Sequence, residues 1–253
     1  MIPKIIHQIW IGKAPRPDEW IDTVKVFANK YDYKYMLWDE GDIDKLGIDS
    51  VDGVREIYNS FNHQLAGKAD IIRLLALYKH GGIYIDADSV IMKPEKFAAF
   101  LERNKAPVFF GWENLTVART RKLGRIDPGI RKSRRMVANG LIGAEAEHPF
   151  FKRLLDGLVE NVEGLNAGEK TAAWKAVGPH YVTRVYNSTR KEFPEIHVYP
   201  MKYFYPRHWK GITDPELHKK VKIPGQSMLF QYGYSTNSFS KIFKTRRAKA
   251  RTH

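Results

Sequence analysis

The stretch LAGKADIIRLLALYKHGGIYIDADSV, residues 65–90, predicts a helix, a stop and a buried strand in immediate succession. Apolar residues recur at helical spacing over residues 65–80, and the cations in the last turn suit the C-terminal end of a helix. The glycines at positions 81 and 82 favour a helix end there. The short apolar run 83–85 then indicates a strand that leads into Asp86. This segment therefore predicts an α/β unit with acidic residues at the end of a strand.

Asp86 and Asp88 are the aspartates of this D-x-D sequence. In a strand they would project to the same side, with Cα atoms about 6.6 Å apart. Two carboxylates held that close repel each other, and a divalent cation such as Mn²⁺ or Mg²⁺ relieves the repulsion. Ligands of open α/β sheets also bind beyond the carboxyl ends of the strands. The alternative is that both aspartates are loop residues, one of them capping a turn.

Asp70 and Arg73 form a second charged pair, on the predicted helix. They lie three residues apart and so share one face of the helix. The rest of that face is apolar, with Ala66, Ala69, Leu74 and Leu77. The pair is therefore expected to point inward near the strand end. The alternative is an ordinary salt bridge within the helix.

The remaining sequence extends the α/β pattern. Residues 4–12 predict a buried first strand, and a helix with apolar residues at helical spacing follows Pro17 before an aromatic strand at 33–38. This order over the first ninety residues predicts a layered α/β fold with a largely parallel sheet. Later segments predict strands at 108–112 and 196–199 and a helix at 150–162. We expect one domain over residues 1–240 and a flexible basic tail over 241–253.

The composition excludes some classes of protein. The 253 residues are 43% hydrophobic and include no cysteine, so disulfides and cysteine-bound zinc are excluded. The N-terminal apolar run is too short and too interrupted for a signal peptide, and no stretch is long enough to span a membrane. These features predict a cytoplasmic protein, with peripheral attachment to a membrane surface as the alternative.

The formal net charge is +14, with basic clusters over residues 119–135 and 241–251. Such charge attracts nucleic acids, anionic membranes or phosphorylated substrates without distinguishing them. Neither cluster is interleaved with aromatic residues as in a single-strand-binding surface. We expect the first cluster to form a loop that binds an anionic acceptor or an anionic membrane.

Residues 66–90 resemble the sugar-binding region of the D-x-D glycosyltransferases, a group that includes capsular-polysaccharide transferases and initiating mannosyltransferases. The opening IPKIIHQIWIG, residues 2–12, is similar to the first strand of that group, and Asn139-Gly140 and Gly178-Pro179 match its later short signals. The resemblance implies a GT-A fold, a Rossmann-like mostly parallel sheet flanked by helices. It also implies a UDP- or GDP-sugar donor, a glycan acceptor, and Mn²⁺ or Mg²⁺ as cofactor.

The resemblance also implies roles for single residues. Asp88 would bind the metal, and Asp86 would contact the donor ribose and the metal. Asp70 and Arg73 would hold the sugar hydroxyls, which completes the implied catalytic set. The implied donor-binding set further contains Gln8, Ile9, Trp10, Tyr84 and Asn139. Trp10 has a core aromatic role as its alternative, and His7 is expected to be a buried structural histidine.

The C-terminal segment QYGYSTNSF, residues 231–239, departs from the family. A histidine-rich stretch followed by Ser-Trp would complete the metal site there. Instead, Asn237 and Ser238 are the side chains that offer an oxygen to the metal. Phe239 has no indole N–H with which to contact the leaving phosphate.

The sister families imply transfer with retention of configuration. No acidic residue stands out in the sequence as a nucleophile on the other face of the sugar, so we expect a front-side displacement. One alternative function is a glycoside hydrolase, but its paired carboxyls come from separate elements about 5–9 Å apart. The other is a nucleic-acid-binding protein, for which the sequence lacks a recognised motif.

Overall fold

The computed structural model describes residues 1–113, 135–165, 172–235, 237 and 239–250. Ser238 and all of the basic cluster 119–135 except Arg135 lie outside the described residues. The predicted roles of these residues in metal, acceptor or membrane binding therefore stay predictions.

The elements follow the order expected of an α/β protein. The strands are β1 (Ile5–Ile9), β2 (Lys34–Trp38), β3 (Gly82–Ile85), β4 (Ser89–Ile91), β5 (Val108–Trp112), β6 (Val137–Ala144), β7 (His197–Tyr199) and β8 (Leu229–Gln231). The helices are α1 (Asp18–Lys30), α2 (Val54–Ser60), α3 (Leu65–His80), α4 (Pro94–Arg103), α5 (Pro149–Asp156), α6 (Leu158–Leu165), α7 (Ala173–Ala176), α8 (Pro179–Thr189), α9 (Met201–Phe204), α10 (Leu217–Lys220) and α11 (Phe239–Ala250). The helix predicted over residues 150–162 is thus two helices, α5 and α6.

The central sheet has six strands in the order β2-β1-β3-β6-β5-β7. Strand β6 is antiparallel to both of its neighbours, whereas the other pairings are parallel. The predicted α/β class with a mostly parallel sheet is therefore confirmed. Strand β6 was not predicted, because it is buried along nearly its whole length and so shows no alternation of polar and apolar residues. A small second sheet pairs β4 with β8.

Helices cover both faces of the central sheet. One core lies between the sheet and α2, α3 and α5 to α8, and the other lies between the opposite face and α1, α4 and α9. A third group of buried side chains, the C-terminal aromatic cluster, joins α1 to β8 and α11. Its aromatic members are Trp20, Phe230, Tyr232, Tyr234, Phe239 and Phe243.

The end of α3 agrees with the sequence prediction and explains the two glycines. Gly81 and Gly82 have φ angles of 60° and 97°, which disfavour any residue with a side chain. A Cβ on Gly82 would also lie 2.6 Å from the carbonyl oxygen of Ile5. The glycines therefore let the chain leave α3 and enter β3 directly beside β1.

Helix α11 changes the predicted C-terminal boundary. The boundary after residue 240 falls inside this helix, and Phe243 is buried in the C-terminal aromatic cluster. The start of the predicted tail is thus part of the packed fold. Within the described residues, no helix is both long and apolar enough to cross a membrane.

His7 is a buried structural histidine, as the sequence predicted. Its Nδ1 accepts a hydrogen bond from Trp38 Nε1 at 3.0 Å, so its Nε2 carries the proton and donates to the carbonyl of Gly81 at 2.8 Å. Burial lowers the pKa of His7 to about 4, although the bond to Gly81 opposes the shift. The imidazole is therefore neutral at pH 7.

This depressed pKa predicts a loss of stability in acid. The unfolded chain binds a proton on His7 near pH 6.5, before the folded protein does, so the free energy of unfolding should fall by about 3 kcal/mol from pH 7 to 4 through this group. His7→Gln keeps a donor for Gly81 but cannot titrate. Urea unfolding of both proteins across this range should show a shallower pH dependence for the variant. Equal pH dependences would contradict the prediction.

Candidate active site

The D-x-D aspartates lie in a turn at the carboxyl end of β3. The prediction that they share a strand face is wrong, because β3 ends at Ile85 and the chain turns before β4. The amide of Asp86 still donates to the carbonyl of Gly140 in β6, and the amide of Ser89 donates to the carbonyl of Asp86 at 3.0 Å. The turn holds both carboxylates at the ligand-binding end of the sheet.

Arg73 connects α3 to this turn. Its Nη1 donates to Asp70 at 2.5 Å, and its Nη2 donates to Asp86 Oδ1 at 2.9 Å and to the hydroxyl of Tyr84 at 3.0 Å. Arg73 is only 5% exposed and Asp70 only 7%. The alternative of an ordinary helical salt bridge does not describe this arrangement, because the arginine holds carboxylates from two elements together.

Asp86 is held from both of its carboxylate oxygens. Oδ1 accepts from Arg73 and also from the hydroxyl of Tyr84 at 2.7 Å, while Oδ2 accepts from Gln231 Nε2 at 2.6 Å. Gln231 lies at the end of β8, and sequence reasoning did not select it. Gln231 lies close to Asp86 because β8 pairs with β4, and no local sequence pattern predicts this pairing.

Only one carboxylate oxygen of Asp88 accepts a hydrogen bond from the described residues. Its Oδ2 accepts the backbone amide of Tyr234 at 2.7 Å, whereas its Oδ1 is buried and has no hydrogen-bond partner among the described residues. Burial and the charge of Asp86 raise the pKa of Asp88 to about 7. A buried anionic oxygen without a donor is costly, and a hard divalent cation would satisfy it. The residues present therefore fit Mn²⁺ or Mg²⁺ at Asp88.

Asp70 lies where the two later sequence signals converge. Asn139 Nδ2 donates to Asp70 Oδ1 at 2.8 Å, and a Cβ on Gly178 would lie 2.7 Å from Asp70 Oδ2. Burial raises the pKa of Asp70 to about 6, while the charge of Arg73 opposes the shift. Asn139 thus reaches the predicted sugar-binding pair.

Two predicted nucleoside contacts are corrected. Gln8 is 0% exposed, and its side chain donates to the carbonyl of Asp86 at 3.3 Å and accepts from Tyr35. Ile9 is 5% exposed and packs in the core on the α3 side. Because the side chains of a strand alternate faces and both faces of this sheet are covered, neither side chain lines an open pocket. Gln8 supports the turn from within the protein.

Two aromatic side chains of the predicted donor-binding set lie around the turn. Trp10 is partly buried and meets Tyr234 edge-on, with ring centroids 4.9 Å apart. It thus packs at the border of the C-terminal aromatic cluster, beside the residue whose amide holds Asp88. Tyr84 is buried, and its ring lies 4.2 Å from the guanidinium carbon of Arg73. Tyr84 therefore supports Arg73 and Asp86.

Asn237 does not offer the metal ligand that the sequence suggested. Its Oδ1 accepts the amide of Gly211 at 2.8 Å, and its Nδ2 donates to the carbonyls of Trp209 and Tyr232. All of these bonds tie the side chain to backbone, so Asn237 holds a loop in place. Among the described residues, no three His, Cys, Asp or Glu side chains form a metal-binding group.

The D-x-D turn packs tightly against Gly140 of β6. A Cβ on Gly140 would lie 2.5 Å from Asp86 Oδ2 and 2.9 Å from Gln231 Nε2. Gly140→Ala should therefore displace the Asp86 carboxylate and, if this turn holds the metal that the resemblance implies, lower sugar transfer by about 10- to 100-fold. The assay is sugar transfer or donor hydrolysis, with the folded fraction measured on the same preparation.

Gly164→Ala is the matched control for this change. Gly164 lies in α6, and a Cβ added to it would have no atom of the described residues outside its own helix backbone within 4 Å. This substitution should leave activity unchanged and raise the free energy of unfolding by about 0.5–1 kcal/mol. Full activity of Gly140→Ala would show that the turn has room to move.

Comparisons with known proteins agree with this site. Residues 17–104 match the family described as the glycosyltransferase sugar-binding region containing a DXD motif. The matched region contains α3, Arg73 and both D-x-D aspartates. The resemblance seen in the sequence is thereby confirmed over residues 17–104, which are about a third of the chain.

The relatives support the same class. Inositol phosphoceramide mannosyltransferase 3 of Schizosaccharomyces pombe is 24% identical over 222 residues, which are 87% of this chain and 52% of that protein. The uncharacterized glycosyltransferase L373 of Acanthamoeba polyphaga mimivirus is 32% identical over 157 residues, which are 60% of this chain and 53% of that protein. This chain thus covers about half the length of each.

The solved structure of the PaToxG glycosyltransferase superposes with a TM-score of 0.48 at 20% identity, over 76% of this chain and 70% of that chain.

Proposed function

We propose that this protein is a metal-dependent glycosyltransferase of the GT-A type, a hexosyltransferase that uses a UDP- or GDP-sugar. The observation that supports the proposal most directly is the buried, unpartnered Oδ1 of Asp88 beside a firmly held Asp86. The paired carboxyls of a glycoside hydrolase usually come from separate elements that flank the scissile bond. Asp86 and Asp88 instead lie in one turn, between the end of β3 and the start of β4.

Asp88 would hold Mn²⁺ or Mg²⁺, which when bound neutralises the charge that develops on the leaving diphosphate. The amide of Tyr234 fixes the orientation of the Asp88 carboxylate at 2.7 Å. Asp86 would present its fixed carboxylate to the donor ribose. This arrangement is preorganised, so little reorientation is needed when charge develops.

Asp70 and Arg73 would orient the donor sugar. The Nε of Arg73 is a buried donor without a partner among the described residues. A sugar hydroxyl would satisfy this donor, since hydroxyls both donate and accept hydrogen bonds. Asn139, which donates to Asp70, would keep that carboxylate oriented toward the sugar.

For the acceptor we propose a glycan or glycolipid that carries an anionic group. The relative from Schizosaccharomyces pombe is named as a mannosyltransferase of inositol phosphoceramide. By analogy, mannose is the sugar to test first, and the net charge of +14 suits a phosphate-bearing acceptor. We expect retention of configuration, which NMR of the first product formed would report.

Thermal denaturation with UDP or GDP, with and without Mn²⁺, tests the proposal. A nucleotide at 100 times its Kd stabilises the folded state by about 2.7 kcal/mol, which raises the Tm of a chain of this size by about 5–10 °C. We expect one nucleotide to do so with Mn²⁺, and EDTA to remove the effect. No shift with either nucleotide, or an equal shift in EDTA, would overturn the proposed metal-dependent donor site.

A further inference from the structure

Helix α11 has one side in the protein and a basic side in solvent. Phe239 and Phe243 are buried in the C-terminal aromatic cluster, whereas Lys241 and Lys244 are exposed. At 100° per residue, these lysines project from the side of the helix opposite the buried rings. Packing against the cluster therefore fixes which way the charges face.

No described acidic side chain neutralises the charge on this side of α11. Neither Lys241 nor Lys244 forms an ion pair with a described residue, and the sequence from 239 to 253 contains six lysines and arginines and no acidic residue. We call the exposed side of α11 that carries Lys241 and Lys244 the C-terminal basic face.

The buried side of α11, opposite the C-terminal basic face, is connected to the D-x-D turn. The ring of Phe243 stacks on Tyr234 with centroids 5.9 Å apart, and the amide of Tyr234 holds Asp88. Two contacts therefore separate α11 from the carboxylate with the open oxygen.

We propose that the C-terminal basic face docks this protein on an anionic lipid surface. Lys241 and Lys244 lie on one side of a helix, and such a side can approach a plane of anionic headgroups. Because the apolar side of α11 is buried in the protein, attachment is electrostatic and reversible by salt. This inference goes beyond the proposed function and does not depend on it, since docking requires neither donor nor metal.

Sedimentation of the full chain with vesicles tests the proposal. The vesicles are phosphatidylcholine alone or phosphatidylcholine with phosphatidylinositol, at low and at high salt. We expect binding to the anionic vesicles at low salt and release at high salt. The double variant K241Q/K244Q should bind about 30-fold more weakly, because each lysine near an anionic membrane contributes about 1 kcal/mol.

K105Q/K191Q is the matched control, since both residues are exposed lysines outside the C-terminal basic face. It should bind nearly as well as the wild type, and Tm values should confirm that all proteins are folded. Equal weakening by both double variants, or no preference for anionic vesicles, would overturn the proposal. So would displacement from the vesicles by equimolar duplex DNA, which would assign the face to nucleic acid.

Discussion

Asp88→Asn should lower sugar transfer by about 1,000-fold, because it removes the anionic oxygen proposed to hold the metal against the donor diphosphate. Manganese-dependent binding of the nucleoside diphosphate should weaken in the same variant. Asparagine keeps the shape of the side chain and can still accept the amide of Tyr234. The loss should therefore arise from charge and not from unfolding.

The melting temperature distinguishes the loss of a metal ligand from a general disruption of the site. Burial and the charge of Asp86 raise the pKa of Asp88 to about 7, so this group lowers the free energy of unfolding as the pH rises from about 4, where the unfolded chain ionises, to about 7. In EDTA, Asp88→Asn should consequently melt at the same temperature as the wild type or higher. Asp52→Asn, at an exposed position, should change neither activity nor Tm. Sugar transfer by Asp88→Asn at the wild-type rate would contradict the proposal that Asp88 holds a metal.

The helix–strand unit at residues 65–86 could be predicted because its signals are local. Helical spacing, cations in the last turn of α3 and two glycines specify where α3 ends and β3 begins. The inward orientation of Asp70 and Arg73 also follows from spacing, since the rest of their helix face is apolar. These predictions required no knowledge of which strands are neighbours.

The contacts of the D-x-D turn could not be predicted in this way. Gln231 reaches Asp86 across 145 positions of sequence, and the amide of Tyr234 reaches Asp88 across 146. Both depend on the β4–β8 pairing. The prediction that Asp86 and Asp88 share a strand face was also wrong, because side chains alternate faces only within a strand and β3 ends at Ile85.

The predicted role of Asn237 failed for a related reason. An amide side chain offers an oxygen to a metal or to a backbone amide equally well, and only the fold decides between them. Here the amide of Gly211 takes that oxygen. The family resemblance pointed to the segment 231–239, and the side-chain contacts then showed that Asn237 binds backbone groups.

Arg73→Ala should lower the free energy of unfolding by about 3–5 kcal/mol, the cost of leaving buried carboxylates without their counter-charge. Asp70 and Asp86 both lose a donor, and the two like charges then face each other with less compensation. Urea unfolding at pH 7 measures the effect. Arg55→Ala is the control, because Arg55 also pairs with two aspartates but at the surface, where such pairs contribute about 0–1 kcal/mol.

Activity per folded molecule then tests whether Arg73 also binds the sugar. Removing its Nε and both Nη atoms should abolish transfer and donor hydrolysis even in the folded fraction, while Mn²⁺-dependent binding of the free nucleoside diphosphate persists through Asp88. Arg73→Lys should recover part of the stability, because it restores a charge, but little of the activity, because an ammonium cannot bridge two carboxylates and a hydroxyl in one plane. Wild-type activity in folded Arg73→Ala would instead make Arg73 a structural residue, and the sugar hydroxyls would then have to be held by other groups.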